Sequence, residues 1–293
     1  MATLRIENLS KTYPNGVKAL SNVSLEISNG MFGLLGPNGA GKSSLMRTLA
    51  TLQEADSGSA FLNDIDILNH PTELRKVLGY LPQEFGVYPR ITAEQLLDHV
   101  AILKGVSSKS ERKELVDYLL QKVNLYDKRN KSVKGFSGGM KQRVGIAQAL
   151  IGNPQLIIVD EPTAGLDPGE RNRFHNLLAD VGEEVVVILS THIVDDVREL
   201  CSHMAIMNFG EIVYTGTPAA VLDELKGMVW VKTITRDEVD LYKTQHHVIS
   251  DKMVAGQPQI HVLSSTNPGD GFKSVEPNLE DVFFTKINPA VKA

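Results

Sequence analysis

Apolar and polar residues alternate at the start of the chain. Leu4, Ile6 and Leu9 nearly alternate with polar residues, and a turn at 13–16 leads to a second alternating run at 23–27. A period of two predicts strands with one buried face. We therefore expect residues 1–27 to be β and to belong to an antiparallel β subdomain, with a short buried strand following at 31–35.

Helical periodicity appears next. Leu45, Leu49 and Leu52 share one stripe, which predicts a helix over 42–52. Three further amphipathic stripes lie between about 90 and 151. This part of the chain is predicted to be a helical insert.

Two nearly continuous apolar runs follow at 155–160 and 185–190. Such runs are typical of strands buried on both faces of a parallel sheet. With a helix predicted over 169–181, they form a βαβ unit in an α/β core. Strands at 229–234, 247–254 and 259–263 and a helix at 278–286 predict a small α+β extension. We expect the main domain to cover 1–226 and the extension to cover 227–293.

Composition narrows the function classes. The 293 residues include 30 basic and 35 acidic side chains, a net charge of −5 that disfavours a general nucleic-acid binder. Cys201 is the single cysteine, which excludes an internal disulfide. No apolar run is long enough to predict a membrane span. No signal peptide predicts export, and no lipidation motif is visible. Any role at a membrane is therefore expected to need a partner.

A glycine-rich loop lies between the predicted strand at 31–35 and the helix after it. The pattern G-x-x-x-x-G-K-[ST] is the phosphate-binding P-loop, in which backbone N–H groups and a helix N-terminus hold phosphates. We expect Lys42 to bridge the β- and γ-phosphates of a nucleotide and Ser43 to ligate Mg²⁺. A ligand-free turn would explain the glycines but neither of these two residues. The nucleotide-binding residues predicted here are Gly36, Pro37, Asn38, Gly39, Ala40, Gly41, Lys42, Ser43 and Ser44.

Two carboxylates follow the four apolar residues 156–159, at the strand end where α/β sheets bind ligands. Asp160 and Glu161 point opposite ways on a strand. Asp160 is expected to join Ser43 at Mg²⁺, and Glu161 to polarise an attacking water. His192 follows the next apolar run and would reach the same sheet edge. Solvated carboxylates and a structural histidine are the alternatives, which the neighbouring P-loop disfavours.

The segment at 136–143 resembles the signature motif of ATP-binding-cassette (ABC) ATPases. Ser137 is a good helix N-cap, and Gly138 and Gly139 expose backbone amides that form a second anion site. The resemblance implies a head-to-tail dimer, with each ATP between one subunit's P-loop and the other's signature. The partner would be a second copy or a related ATPase.

The resemblance extends over 1 to about 225 and implies further roles. Tyr13 would stack on adenine, and Gln83 would contact Mg²⁺ and respond to the transport partner. Glu161 would be the catalytic base, and His192 would contact the γ-phosphate. Asp167 ends the D-loop at the dimer interface. Phe136 replaces the usual Leu and the D-loop reads Ala-Gly, but no catalytic group is missing.

Two segments, at 85–92 and 276–283, resemble bacterial ABC-2-type exporter ATPases. The resemblance implies an ATPase on the cytoplasmic face of a bacterial membrane, driving a separate permease. The alternative is an ABC ATPase acting on ribosomes or DNA. The single P-loop, the acidic charge and the lack of a coiled coil or zinc module disfavour it. A nucleotide kinase would lack the signature.

Other polar clusters receive no functional role from the sequence. Asp195 and Asp196 are expected to cap or solvate the helix after His192. His246, His247 and His261 match no standard metal-ligand spacing, and Cys201 is expected to serve packing.

Overall fold

The computed structural model describes residues 2–83, 86, 89–181, 185–269 and 271–288. Within them the strands are β1 (Thr3–Thr12), β2 (Lys18–Ser28), β3 (Gly30–Leu35), β4 (Ser57–Leu62), β5 (Ile65–Asp66), β6 (Leu78–Leu81), β7 (Leu156–Asp160), β8 (Val186–Thr191), β9 (His203–Asn208), β10 (Glu211–Gly216), β11 (Val229–Thr233), β12 (Val248–Val254), β13 (Gln257–Leu263) and β14 (Lys273–Ser274). The α-helices are α1 (Lys42–Leu49), α2 (Pro71–Val77), α3 (Ala93–Leu103), α4 (Lys109–Lys122), α5 (Gly138–Ala149), α6 (Pro168–Ala179), α7 (Val194–Leu200), α8 (Pro218–Asp223), α9 (Val239–Gln245) and α10 (Leu279–Ile287).

A central sheet organises the fold, with strand order β10-β9-β3-β8-β7-β6. Strand β3 is parallel to β8 and β9, and β7 is parallel to β8 and β6. Only β10 pairs antiparallel, with β9, among the described strands of this sheet. A second, antiparallel sheet has the order β2-β1-β4-β5. The expected α/β core with an antiparallel β subdomain is confirmed.

Both faces of the central sheet are covered. Every residue of β7 and β8 is buried. Ile157 and Val159 belong to one hydrophobic core, whereas Leu156 and Ile158 belong to the other. Adjacent residues of a strand point to opposite faces, so one apolar run serves two cores.

The helical insert consists of α3, α4 and α5. Thr92 caps α3 in a reciprocal capping box with Gln95, and Ser108 caps α4. Both caps satisfy helix N–H groups that would otherwise lack an acceptor. The apolar side chains of the insert pack into the same hydrophobic core as those of α6. Leu97, Leu120 and Val144 are buried in this core.

The C-terminal part forms a third sheet of order β12-β13-β11-β14. It has a small core of its own, made of Ile234, Ile260, Val262 and Phe272. Helix α10 instead packs against α7, α8 and β9 as well as β12. Its buried apolar side chains lie in the core that contains Ile157 and Val159, which we call the main core. The division at 226/227 stays a prediction, and α10 joins the two parts.

No described helix combines the length and apolar character that crossing a membrane requires.

Candidate functional site

The carboxyl ends of four parallel strands meet at one edge of the central sheet. The glycine-rich loop leaves β3 there, Asp160 ends β7, and His192 follows β8 directly. Gln83 follows β6 at the same edge and is exposed. The topology thus brings together residues that lie more than 150 positions apart in the chain.

The loop before α1 has the conformation of an anion cradle. Gly39 and Gly41 have φ of +82° and +107°, a region that side chains other than glycine rarely adopt. Gly41 is the N-cap of α1 and provides no side-chain acceptor for the first-turn N–H groups. The N-terminus of α1 therefore presents unpaired backbone donors beneath the loop, as phosphate binding requires.

Lys42 lies within this cradle and is almost completely buried. Its ammonium donates to the carbonyl oxygens of Gly36 at 2.7 Å and Pro37 at 3.2 Å. It also lies 3.2 Å from Oε1 of Glu161. The lysine charge is thus held against the loop, next to the carboxylate that follows β7.

Ser43 and Asp160 form a pair of oxygen ligands. The Ser43 hydroxyl donates to Oδ1 of Asp160 over 3.4 Å. Burial, assisted by the neighbouring Glu161 carboxylate, raises the pKa of Asp160, and the nearby hydroxyl groups of Ser190 and Ser43 oppose the shift. A buried carboxylate beside a hydroxyl fits Mg²⁺, which typically uses few protein oxygens together with substrate phosphates.

Glu161 lies between two nitrogen groups. Its Oε2 is 2.6 Å from Nδ1 of His192, and its Oε1 faces Lys42. Glu161 is 5% exposed, whereas the His192 side chain is 44% exposed. The backbone of Glu161 has φ of +48°, a strained conformation that is held by a hydrogen bond from its N–H to the Ser190 carbonyl. The geometry orients both carboxylate oxygens at the end of β7.

Tyr13 is fastened to the P-loop helix. Its hydroxyl donates to Oε1 of Gln53 at 3.0 Å and lies 3.0 Å from Oγ of Ser44. The Gln53 amide in turn donates to the Ser44 carbonyl and to Thr48. Sequence reasoning missed Gln53, because a single glutamine in a loop carries no pattern.

The signature residues form a separate, exposed helix end. Ser137 caps α5 by accepting from Met140 N–H. Gly138 is exposed as expected, but Gly139 is buried, because it packs against α6 so closely that a Cβ there would overlap the Glu170 side chain. Asp167 caps α6 by accepting from Glu170 N–H at 2.9 Å and is exposed.

Among the described contacts, no hydrogen bond or ion pair joins Ser137 or Asp167 to residues 36–44, or Gln83 to Ser43 or Asp160. The structure thus brings Ser43 into contact with Asp160, and it brings Lys42 and His192 into contact with Glu161. The predicted roles of Gln83, Ser137 and Asp167 stay predictions.

Asp196 contradicts its expected solvated role. It is completely buried and accepts hydrogen bonds from side chains of other segments, whereas Asp195 is half-exposed and pairs with Arg198. His261, whose side chain is 8% exposed, pairs with Asp281 at 2.6 Å. Burial raises the pKa of Cys201 to about 12, which fits a packing role.

Comparison with known proteins identifies the family. Residues 20–164 match the family described as "ABC transporter". The chain is 38% identical over 224 residues to the ABC transporter ATP-binding protein YxlF of Bacillus subtilis (strain 168). The aligned region covers 76% of this chain and 72% of YxlF. The chain belongs to the ATP-binding proteins of ABC transporters.

Other relatives of this cassette serve different transport systems. The linearmycin resistance ATP-binding protein LnrL of Bacillus subtilis (strain 168) is 34% identical over 227 residues, covering 76% of the cassette chain and 72% of LnrL. The phosphonates import ATP-binding protein PhnC 2 of Synechococcus sp. (strain JA-2-3B'a(2-13)) is 37% identical over 242 residues, covering 76% and 90%.

A solved cassette has the same fold. The dimeric ATP-binding cassette MJ0796, in a post-hydrolysis state with ADP and Pi, superposes with a TM-score of 0.68 at 28% identity. It covers 73% of this chain, and 98% of MJ0796 is covered. The present cassette is accordingly an ABC ATPase that hydrolyses ATP to power transport.

Proposed function

We propose that this chain is the ATP-hydrolysing subunit of an ABC exporter and acts as a dimer on a separate membrane permease. The observation that carries the catalytic part is the contact chain from Lys42 through Glu161 to His192, at the end of the parallel strands. ATP binding closes the dimer, and hydrolysis and release reopen it.

The residues at the sheet edge take distinct roles in this proposal. Lys42 and the amides of the P-loop bind the β- and γ-phosphates. Tyr13 stacks on adenine. Glu161 accepts a proton from the attacking water, and His192 contacts the γ-phosphate and orients Glu161.

Mg²⁺ would be held by Ser43, Asp160 and Gln83, and when bound it neutralises charge on the phosphates. The chain's own contribution is a pair of preplaced oxygen ligands, because Ser43 and Asp160 already contact each other.

A second subunit supplies the other face of the nucleotide. Ser137 caps α5, whose first residue Gly138 is exposed, and the exposed Asp167 caps α6. These helix ends are oriented outward, so a head-to-tail arrangement places one subunit's signature over the other's P-loop. The partner is a second copy or a related ATPase.

Relatives of the chain include proteins named for resistance and for import, and two segments resemble the ABC-2-type exporters. LnrL, a resistance protein, and PhnC 2, an import protein, are similar to the chain at comparable identity. The segment at 276–283, which resembles the ABC-2 branch, contains the N-cap Asn278 and the first part of α10. Within the other such segment, Phe85, Val87 and Tyr88 lie outside the described residues.

Copurification and efflux test the proposal together. A tagged chain should copurify from detergent-solubilised bacterial membranes with one multi-helix permease. Cells that express both chains should accumulate less of some compounds in a panel of antibiotics and lipophilic dyes than cells with a Glu161→Gln subunit. Copurification with ribosomes or DNA would contradict the transporter role. Raised, energy-dependent uptake with the permease would contradict export.

A further inference from the structure

A single buried carboxylate lies behind the catalytic edge. Asp196, on α7, has no exposed surface, and four side chains from outside its own helix contact it. Thr163 donates to Oδ2 at 2.5 Å and Thr191 donates to the same oxygen at 3.1 Å. On the other oxygen, Arg171 donates from Nε at 2.9 Å, and Nε2 of His175 lies at 3.0 Å.

These partners come from the segments that carry the catalytic groups. Thr163 lies two residues after Glu161, and Thr191 immediately precedes His192. Arg171 belongs to α6, whose N-cap is Asp167. One carboxylate therefore joins the backbone that holds Glu161, the backbone that holds His192 and the helix that begins at the D-loop.

Another surface of α6 contacts the signature helix. Nη2 of Arg143 on α5 lies 3.3 Å from Oε2 of Glu170 on α6, and Gly139 leaves room for that glutamate. Glu170 and Arg171 are adjacent in the chain, so neighbouring residues of α6 contact the signature helix and Asp196. A displacement of α6 at the dimer interface reaches Asp196 through two residues.

We propose that Asp196 is a positioning residue that sets the Glu161–His192 pair according to the position of α6. This inference rests on the proposed roles of Glu161 and His192. Charge-assisted hydrogen bonds to a buried carboxylate are short and directional. Misplacing a catalytic group by about 1 Å can cost about a hundredfold in rate, so the chemical step depends on Asp196 although it does not touch the nucleotide.

A purely structural role for Asp196 makes different predictions. It would lower stability and impair nucleotide binding together with turnover. A positioning role lowers kcat and leaves ATP binding intact, because no described contact of Asp196 involves the P-loop residues 36–44.

The decisive experiment compares Asp196→Asn with Asp195→Asn in the full-length chain. Asp195 is the adjacent residue, carries the same group and is half-exposed, so it is a matched control. The measurements are steady-state kcat and KM for ATP, the Kd of a slowly hydrolysed ATP analogue, and Tm.

We expect Asp196→Asn to lose about tenfold or more in kcat with the analogue Kd changed less than about twofold. Asp195→Asn should match the wild type in all four quantities. A kcat of Asp196→Asn within about twofold of wild type, or equal losses in kcat and analogue affinity, would overturn the inference.

A second pair of variants covers the case in which Asp196→Asn does not fold. Thr163→Val removes one donor to Asp196 and keeps the shape, whereas Thr163→Ser keeps the hydroxyl. We expect reduced kcat for Thr163→Val and recovery in Thr163→Ser, and equal kcat in both would overturn the inference. Failure of the proposed function is distinguishable, because it would appear as wild-type turnover in Glu161→Gln.

Discussion

Tyr13 shows how one hydroxyl group can prepare a binding surface. Its ring is tethered to α1 through Gln53 and Ser44. We expect Tyr13→Phe and Gln53→Leu each to raise the KM for ATP about two- to tenfold, the loss of about one neutral hydrogen bond, with kcat unchanged. Steady-state kinetics of the two variants and of the double variant test this.

The double variant distinguishes a shared tether from two independent effects. If Gln53 acts on ATP by holding Tyr13, the double variant should have nearly the KM of the worse single variant. Unchanged KM in Tyr13→Phe, or fully additive effects of the two changes, would contradict the tether.

Asp160 illustrates a binding residue that costs stability. Burial raises its pKa in the folded chain, so its ionised form disfavours folding above the ordinary aspartate pKa. The cost is absent below the unfolded pKa and develops as pH rises through the folded one. We expect Asp160→Asn to raise the Tm of the nucleotide-free chain at neutral pH, with a gain that shrinks towards acidic pH.

ATP and Mg²⁺ should stabilise the two chains unequally. The wild type should gain Tm with ATP and Mg²⁺, and Asp160→Asn should gain less, because its neutral amide is a weaker Mg²⁺ ligand than the carboxylate. Thermal unfolding with and without Mg²⁺, at two pH values, measures both effects. A nucleotide-free Asp160→Asn that melts below the wild type would show that the burial argument is wrong.

Functional residues that belong to a recognisable sequence motif could be predicted from the sequence. The P-loop, Asp160, Glu161 and His192 lie where strand ends meet, so their spacing relative to apolar runs places them on one edge. Asp196 and Gln53 could not be found in this way. Their roles depend on which side chains surround them in three dimensions, and an acidic residue early in a helix is usually solvated.

At the scale of elements, α10 links the C-terminal extension to the cassette. Leu279 is 2% exposed and belongs to the main hydrophobic core, together with Val197 of α7. We expect Leu279→Ala to lower the free energy of unfolding by about 2–5 kcal/mol through a buried cavity. Glu280→Ala, an exposed change on the same helix, should alter it by less than about 0.5 kcal/mol.

The single tryptophan allows this prediction to be measured in both parts of the molecule. Trp230 lies in β11 of the C-terminal sheet, so its fluorescence reports the extension, whereas far-UV circular dichroism is dominated by the larger cassette. In urea, both transitions of Leu279→Ala should shift to lower concentration. A shift in tryptophan fluorescence alone would contradict the packing of α10 on the cassette.

Long apolar runs predicted elements better than short or edge segments did. The strands β7 and β8 and the three helices of the insert follow from periodicity. The pattern gave no separate strands for β4, β5, β6, β9 and β10, which are short or lie near sheet edges. The helix expected after His192 ends at Leu200, because β9 begins at His203 and pairs with β3. Long-range pairing of this kind overrides local helical periodicity.

For the whole molecule, two surfaces of α6 connect separate catalytic regions. One surface contacts the signature helix and the other contacts Asp196, behind Glu161 and His192. In a head-to-tail dimer, the signature and D-loop face the partner's nucleotide. In the proposed dimer, α6 therefore couples the occupancy of one ATP site to the geometry of the other.

The central claim is that Glu161 performs the base chemistry of an ATP-closed dimer. The most direct measurement is ATP turnover of Glu161→Gln, combined with its molar mass by light scattering with and without ATP and Mg²⁺. We predict a loss of turnover of about a hundredfold or more, together with an ATP-dependent dimer that persists because hydrolysis no longer reopens it. Wild-type turnover in Glu161→Gln, or a monomer at saturating ATP, would contradict the account.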